Sequence, residues 1–216
     1  MCPPSWPGYC GRSRSDVVSE RHPYVVGFGL TGDERLFDAK DFAPAFLLAK
    51  KAGLHLTAHA GEHRCAATIR EAVEFLMLER IGHGVHAVRD PAIVDFLVAK
   101  GTGLEICISS NLSLGLFASL KEHPFKKLIE AGVRVCLGTD DPAFFNTSCD
   151  NEYKLASLNA ELSQARLVDL SRDAIRLAFC DDATKAKLNE RLDALHSDGS
   201  GESEVVIDTL STRRSY

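Results

Sequence analysis

The chain has 216 residues, of which 45% are apolar and 25% charged, a globular composition that argues against wholesale disorder. Thirty acidic residues against 25 basic ones give a net charge of −5, which disfavours nucleic-acid binding because that function needs a concentrated basic face. No apolar run approaches the roughly 20 residues of a membrane helix, so we expect no membrane partner. The seven cysteines form no Cys-x-x-Cys pair, and the sequence begins without the apolar core of a secretory signal. We therefore expect reduced thiols and a cytoplasmic location.

Both ends of the chain differ in composition from its middle. Residues 1–23 are rich in Pro, Ser, Gly and Arg without periodicity, which predicts an irregular, disordered leader. Residues 197–216 have a similar polar composition and are predicted to form a flexible tail. Residues 24–196 remain for a single folded domain.

Between these ends, short apolar runs alternate with amphipathic stretches in which apolar residues recur three and four positions apart. The short runs predict strands over residues 24–30, 54–59, 80–85, 103–109 and 133–139. The amphipathic stretches predict helices over residues 39–52, 65–79, 91–100 and 124–131. From residue 151 to residue 196 the chain is predicted to be helical, with no further strand.

Strands and helices that alternate every 25–30 residues or so, roughly the length of a βαβ unit, predict a parallel sheet and hence an α/β fold. Two architectures satisfy this pattern: an open doubly wound sheet and part of a (β/α)8 barrel. Polar residues follow at least four predicted strands, which is typical of barrel enzymes, whereas an open sheet concentrates its ligand groups near one switch point. The sequence also lacks the Gly-x-Gly-x-x-Gly and P-loop patterns of nucleotide-cofactor sites. We therefore predict a partial (β/α)8 barrel.

Two of the predicted strand ends carry a histidine. His59 and Glu62 follow the second strand, and a histidine and a carboxylate three residues apart on a glycine-containing loop can face one pocket. His83 ends the third strand between Gly82 and Gly84, which allow the backbone to approach a ligand closely. Taken singly, such motifs also fit surface residues or a hydrogen-bonded structural histidine. We interpret them as candidate site residues because they recur at successive strand ends.

The other strand ends add carboxylates, hydroxyls and a glycine. Asp140 and Asp141 follow the fifth strand, and neighbouring carboxylates repel each other unless a cation or hydrogen-bond donors stabilise them. Residues 109–111, Ser-Ser-Asn, end the fourth strand and can supply loop hydrogen bonds. Gly32 follows the first strand and can offer its N–H group to a ligand. Together these nitrogen and oxygen donors suit zinc, which can activate water near neutral pH.

In order and spacing, these motifs resemble the adenosine/adenine deaminase family of the amidohydrolase barrels, over residues 25–195. The matching motifs are Leu30-Thr31-Gly32-Asp33-Glu34, His59-Ala60-Gly61-Glu62, Arg80-Ile81-Gly82-His83-Gly84, Ser110-Asn111, His123-Pro124-Phe125, Ala131-Gly132-Val133, Thr139-Asp140-Asp141-Pro142 and Glu152-Tyr153. The His-x-Glu and Pro-Cys-x-x-Cys signature of other zinc-dependent nucleobase deaminases is absent from the sequence.

The resemblance implies a role for each candidate residue and zinc as the cofactor. His59 would bind the zinc ion, and Asp140 would supply a carboxylate ligand. Glu62 would pass a proton to N1 of a purine. His83 would orient, and partly deprotonate, the water that attacks C6. A 6-oxopurine would form, and ammonia would leave.

The resemblance also implies that the partner is a small purine nucleoside or base. Asp141 would contact N7 of the ring, and the N–H group of Gly32 would contact N3. Adenosine is the expected substrate, converted to inosine in purine salvage. Adenine is the close alternative, because the family's ribose contacts come partly from a region without a counterpart in this sequence. AMP is disfavoured, since no basic cluster that could bind a phosphate is visible.

The family's first strand ends in a His-x-His pair that supplies two further zinc ligands, and this sequence contains no such pair. The first predicted strand resembles the family's fourth, so we expect strands four to eight of the barrel with the C-terminal helices. Five strands would leave two exposed sheet edges, which predicts self-association through them. The missing ligands predict weak zinc binding. A truncated chain with little or no activity is therefore the alternative to an active enzyme.

Overall fold

A computed structural model describes residues 22–197 of the chain. The predicted leader up to residue 21 and the predicted tail from residue 198 onward lie outside the described residues. Among the helices that are described, none combines the length and the apolar composition needed to cross a membrane.

The described chain is organised around one five-stranded sheet in which all neighbouring strands are parallel. β1 (Gly27–Leu30), β2 (His55–Ala60), β3 (Arg80–His83), β4 (Gly103–Ile106) and β5 (Val135–Leu137) lie side by side in chain order. All five predicted strands are present. Four are shorter than predicted, and β2 is shifted by one residue.

Helices connect the strands and continue after the last one. They are α1 (Ala43–Lys51), α2 (Ala67–Leu76), α3 (Pro91–Lys100), α4 (Ile108–Ser113), α5 (Phe125–Glu130), α6 (Pro142–Phe145), α7 (Cys149–Ala160), α8 (Gln164–Leu177) and α9 (Asp182–Ser197). The four helices predicted between strands correspond to α1, α2, α3 and α5. The C-terminal stretch predicted as helical consists of three helices, α7 to α9, and α7 starts two residues before the predicted boundary.

The main difference from the sequence prediction follows β4. The strand predicted there ends at Ile106, and a helix, α4, begins two residues later. The buried carboxylate of Glu152 accepts hydrogen bonds from the N–H groups of Ile108 at 2.8 Å and Ser109 at 3.2 Å, which satisfies the first turn of a helix. The Ser-Ser-Asn at residues 109–111 therefore lies on a helix and not on the predicted loop.

The pleat of the sheet separates a buried apolar face from a polar face. In β2, Leu56, Ala58 and Ala60 are buried, whereas the alternate residues Thr57 and His59 are half-buried on the other face. The buried face is covered by the connecting helices. The largest fully buried side chains of the core include Phe46 of α1, Ile69 and Leu76 of α2, Leu97 of α3, Ile81 of β3 and Leu104 of β4.

The segment between α8 and α9 packs against the amino ends of the strands. The ring of Phe179 stacks on His55 with ring centroids 4.6 Å apart, and the guanidinium carbon of Arg80 lies 3.6 Å from the centroid of the same ring. A Cβ atom at Gly27 would come within 3.0 Å of Phe179, so the ring fits where β1 has no side chain. This packing leaves the opposite, carboxyl ends of the strands for the predicted site residues.

We expect Ile81→Ala to lower the free energy of unfolding by about 2–5 kcal/mol, because it leaves a cavity in the core at the central strand. Val98→Ala is the matched control, since Val98 is 45% exposed on α3 and its truncation should cost less than about 1 kcal/mol. Urea denaturation followed by circular dichroism measures both. Equal effects of the two substitutions would contradict the central position of β3.

Candidate active site

His59 and His83 stand side by side at the carboxyl ends of β2 and β3. His59 is the register partner of Gly82, and a Cβ atom at Gly82 would lie 2.5 Å from Cδ2 of His59. Glycine is therefore needed at this position to leave room for the imidazole. The two histidine rings meet edge to face, with centroids 4.6 Å apart and planes at 85°.

His83 and Asp140 have a backbone conformation that residues with side chains rarely adopt. Their φ angles are 65° and 55°, in the left-handed region. Such conformations cost about 1–3 kcal/mol each and concentrate at functional sites. The register partner of His83 is Ala60, which faces the apolar core. Side chains of a strand alternate between the two faces of the sheet, and the regular pattern would place His83 on the same face as Ala60. The left-handed backbone of His83 instead directs its imidazole towards the polar cluster.

The predicted residues converge around the imidazole of His83. Its Nε2 atom lies 3.7 Å from Oε2 of Glu62 and 3.9 Å from Oδ2 of Asp140. Oε2 of Glu62 also lies 3.9 Å from Nδ1 of His59. Residues from three different strand ends therefore meet at one place, as expected when parallel strands bring their carboxyl ends to one edge of a sheet.

Burial and neighbouring charges shift the pKa values of this cluster in opposite directions. Burial, with the carboxylates of Asp140 and Glu34 nearby, raises the pKa of Glu62 from an ordinary 4.5 to about 7. Burial lowers the pKa of His83, helped by the neighbouring His59, and also lowers the pKa of His59. Near neutral pH the cluster thus combines two neutral imidazoles with a carboxyl group close to the midpoint of its titration.

A second buried carboxylate, Glu34, holds the loop that follows β2. It accepts hydrogen bonds from the backbone N–H groups of Gly61 at 2.8 Å, of Arg64 at 2.6 Å, and of His63. Three donors from one loop fix the backbone on which Glu62 stands. This role of Glu34 was not predicted, because its donors are backbone N–H groups, which nearly every residue type has, so the sequence does not distinguish them.

Helix α4 supplies polar partners for two of the site residues. Oγ of Ser110 donates to Oδ2 of Asp140 at 2.7 Å, and the side-chain amide of Asn111 lies 3.3 Å from Nδ1 of His83. Ser110 and Asn111 are both fully buried. The helix therefore positions the carboxylate and the imidazole from behind the cluster.

All six residues selected from the sequence line one cavity of about 510 Å³. They are Gly32, His59, Glu62, His83, Asp140 and Asp141. The lining is completed by Thr31, Asp33, Arg35, His63, Leu114 and Phe145. This volume lies within the range of small-molecule sites.

Besides Thr31 and Asp33, which flank the predicted Gly32, two polar residues of this cavity, Arg35 and His63, were not predicted as site residues. Arg35 forms a two-pronged ion pair with Asp33, with both nitrogen–oxygen distances at 2.8 Å. Nε2 of His63 lies 3.7 Å from Oε2 of Glu62. Arg35 and His63 each directly follow a motif that was recognised in the sequence, the first ending at Glu34 and the second at Glu62. This position next to a motif could have indicated both residues.

The cluster contains the donor atoms of a divalent-cation site. Among the residues that the structure describes, ligand atoms of His59, Glu62 and His83 lie within 4.8 Å of one another, as do those of His83, Cys107 and Asp140. Burial raises the pKa of the Cys107 thiol, so its sulfur stays protonated and is a poor ligand. Of the remaining donors, the imidazole nitrogen of His59 and the carboxylate oxygens of Asp140 are ligand types that fit zinc.

Parallel strands in chain order, with histidines and carboxylates at their carboxyl ends, place the chain in the class of (β/α)8-type folds. A family model described as adenosine deaminase matches residues 15–195. The chain belongs to the adenosine deaminase family, which confirms the resemblance found in its motifs.

Several curated proteins that are similar in sequence to this chain are adenine deaminases. The adenine deaminase of Agrobacterium fabrum is 44% identical over 172 residues, which are 80% of this chain and 53% of that protein. The chain thus spans about half the length of the curated relatives that it matches.

Solved structures of similar proteins support the same fold. The adenine deaminase of Arthrobacter aurescens has a TM-score of 0.81 at 31% identity, covering 86% of this chain and 57% of that one. The N6-methyl-AMP deaminase of Arabidopsis thaliana has a TM-score of 0.78 at 31% identity, covering 87% of this chain and 56% of that one. The predicted partial (β/α)8 barrel is therefore confirmed.

We expect Glu62 to make the metal-free protein less stable as the pH rises from about 4.5 to about 7. In this window the unfolded chain has released the proton of Glu62, whereas the folded chain retains it because its pKa is raised. The folded state then binds more protons, so the free energy of unfolding falls as the pH rises. Glu62→Gln removes this titration and should flatten the slope. Urea denaturation in chelator across this pH range measures it.

The matched control is Glu71→Gln, which makes the same change at an exposed position of α2. It should keep the slope of the unmodified chain. An equal slope in Glu62→Gln and in the unmodified chain would contradict the raised pKa of Glu62.

Proposed function

We propose that this chain carries a purine deaminase site, where water replaces the 6-amino group of an adenine ring and ammonia is released. The observation that carries the proposal is the convergence of His59, Glu62, His83 and Asp140 on one cavity. Membership of the adenosine deaminase family and the names of the relatives support this reaction. The chain spans only about half the length of those relatives, so their activity is not assumed for it and remains a proposal.

His59 and Asp140 are the proposed zinc ligands. When bound, zinc would activate a water molecule near neutral pH. Burial lowers the pKa of His59, which keeps its imidazole neutral, as a ligand must be. The hydrogen bond from Ser110 fixes one carboxylate oxygen of Asp140, which supports the orientation of this ligand.

Glu62 is the proposed proton donor to N1 of the purine. A carboxyl group can act as a general acid only if it retains a proton at the working pH. Burial and the neighbouring carboxylates raise the pKa of Glu62 to about 7, which supports this role. The backbone hydrogen bonds to Glu34 hold the loop of Glu62 in place.

The remaining candidates orient the reactants. His83 would hold the attacking water with its imidazole, which faces the carboxylates of Glu62 and Asp140. Asp141 and Gly32 line the same cavity and would contact N7 and N3 of the purine. A site that aligns water with C6 while N1 is protonated lowers the barrier by positioning and by acid catalysis.

Two substrates have specific support. The curated relatives at 44% identity are named adenine deaminases, which favours adenine. The family description favours adenosine, the substrate expected from the resemblance. A nucleoside monophosphate is a third possibility to include in an assay, because one similar structure is that of an N6-methyl-AMP deaminase.

We further propose that this chain by itself holds zinc weakly and has little activity. The sequence contains no His-x-His pair, so two histidine ligands of the resemblance have no counterpart. Fewer ligands mean a lower affinity and poorer activation of water. A catalytically inactive chain is the alternative that follows from the same observation.

Self-association through the sheet edges is supported by the strand order. β1 and β5 are the two ends of the order, so each pairs with a single strand among residues 22–197. An edge strand presents unpaired N–H and C=O groups that can pair with another chain.

A cytoplasmic location is also proposed. The five cysteines within the described residues are all free, which fits a reducing compartment. The net charge of −5 supports a small-molecule partner and no nucleic acid.

We expect the full 216-residue chain to release ammonia from adenine or adenosine only with added zinc, because activation of the water requires the ion. Its rate should fall far below the typical enzyme range of about 1–1,000 s⁻¹. Parallel assays with adenine, adenosine and N6-methyl-AMP, with separation of the 6-oxopurine products by chromatography, identify the substrate. Metal analysis of the purified chain should find less than one tightly held zinc ion per molecule.

The same assay includes Glu62→Gln, which should abolish the zinc-dependent release, and Glu71→Gln, which should leave it unchanged. Turnover at ordinary enzyme rates would contradict the proposed weakness of the site. No zinc-dependent release from any of the three purines would contradict the proposed reaction and favour an inactive chain.

For self-association, we expect the molar mass measured by size-exclusion chromatography with light scattering to increase with protein concentration, because edge pairing follows mass action. A monomer with a constant mass over the whole concentration series would contradict this proposal.

A further inference from the structure

A chain of hydrogen bonds runs through the buried region behind His83. The backbone N–H of Phe125 donates to Nδ1 of His123 at 3.2 Å, and Nε2 of His123 lies 3.1 Å from Oδ1 of Asn111. Nδ2 of Asn111 lies 3.3 Å from Nδ1 of His83. The side chains of His123 and Asn111 are buried, and no step of the proposed reaction uses them.

The first link determines where His123 carries its proton. A backbone N–H can only donate, so Nδ1 of His123 must accept and cannot hold a proton. Burial lowers the pKa of His123 to about 4, which keeps the ring neutral. The single ring proton of His123 is therefore on Nε2, and this nitrogen donates to Asn111.

The second link determines the orientation of the Asn111 amide. Because Nε2 of His123 is a donor, the amide atom that faces it must be the oxygen. The opposite orientation would place the NH₂ group of Asn111 against a second donor. With its oxygen towards His123, the amide presents its NH₂ group to Nδ1 of His83, which must accept.

We propose that His123, acting through Asn111, holds His83 as the tautomer that carries its proton on Nε2. His123 and Asn111 are positioning residues in this proposal, and its catalytic meaning rests on the proposed deamination. The direction of every hydrogen bond follows from one backbone donor, the N–H of Phe125, whose proton cannot move.

This tautomer defines what His83 can do in the cavity. Its Nε2 faces Oε2 of Glu62 at 3.7 Å and Oδ2 of Asp140 at 3.9 Å. A ring nitrogen that carries a proton donates a hydrogen bond and has no lone pair for a metal ion or for a further proton. The lone pair on Nδ1 is engaged by Asn111. His83 therefore orients the water as a hydrogen-bond donor and does not take its proton, which differs from the partial deprotonation that the resemblance implies for His83.

The tautomer can be measured directly by long-range ¹H–¹⁵N correlation spectra of the full chain labelled with ¹⁵N-histidine, because protonated and unprotonated ring nitrogens resonate far apart. The spectra are recorded without metal or substrate, above the ordinary histidine pKa of about 6.5. His83, identified by the signal lost in His83→Gln, should have its proton on Nε2. A proton on Nδ1 of His83 would overturn the proposal.

The same spectrum contains an internal control. Nδ1 of the buried His86 lies 2.8 Å from the carbonyl oxygen of Arg64, which can only accept. His86 should therefore have its proton on Nδ1, opposite to His83, in the unmodified chain and in every variant.

Asn111→Asp tests this chain of hydrogen bonds, because it changes the hydrogen-bonding groups of the side chain with almost no change in side-chain shape. The hydrogen-bonded chain from Phe125 to His83 is called the relay. A carboxylate accepts on both sides, so it should draw the proton of His83 to Nδ1 and reverse its tautomer. Asn151→Asp is the matched control, since the Asn151 amide contacts Ser109 and Thr147 and lies outside the relay. It should leave the signature of His83 unchanged.

His123→Phe and His123→Gln separate positioning from a merely structural role. His123→Phe keeps a ring but removes the donor to Asn111, so His83 should appear as a mixture of tautomers. His123→Gln retains an amide that can donate, and it should restore the single tautomer. If His83 kept its Nε2 proton in folded Asn111→Asp and His123→Phe, the positioning role would be wrong. Because these spectra involve no turnover, they remain decisive whether or not the chain deaminates a purine.

Discussion

The candidate site depends on the parallel pairing of five strands in chain order. Parallel strands bring all their carboxyl ends to one edge, so residues as distant in sequence as Gly32 and Asp140 can line a single cavity. The pairing also sets the spacing of neighbours, because His59 lies beside Gly82 and its ring uses the space that a side chain would take there. The sheet, and not any local motif, therefore creates the cluster.

Buried carboxylates serve two different purposes in this fold. Glu34 and Glu152 each receive backbone N–H groups from the segment that follows a strand, so their charge is compensated while it orders the chain. Glu62 lies close to two imidazoles, and its burial, with other carboxylates nearby, raises its pKa. One residue type thus provides both the framework of the site and its titratable group.

Much of the fold and six of the twelve residues that line the cavity could be predicted, because hydrophobic periodicity and the order of motifs can be recognised in the sequence alone. The helix α4 could not, since the carboxylate that satisfies its first turn is Glu152, which lies far along the chain. The role of Glu34 was hidden for a related reason, because its donors are backbone groups of another loop. The tautomer of His83 depends on the hydrogen bond from the N–H group of Phe125 to His123, and the motif His123-Pro124-Phe125 does not by itself specify this bond.

The ring of Phe179 has a consequence for how this sequence can vary. It touches His55 at the start of β2 and Arg80 at the start of β3, at the end of the sheet opposite the polar cluster. The contacts of Phe179 that hold neighbouring strands together therefore lie at one end of β2 and β3, and the polar cluster lies at the other end. Substitutions at the amino ends of the strands are constrained by stability, whereas substitutions at the carboxyl ends are constrained by the chemistry of the site. Stability and reactivity can therefore be selected independently.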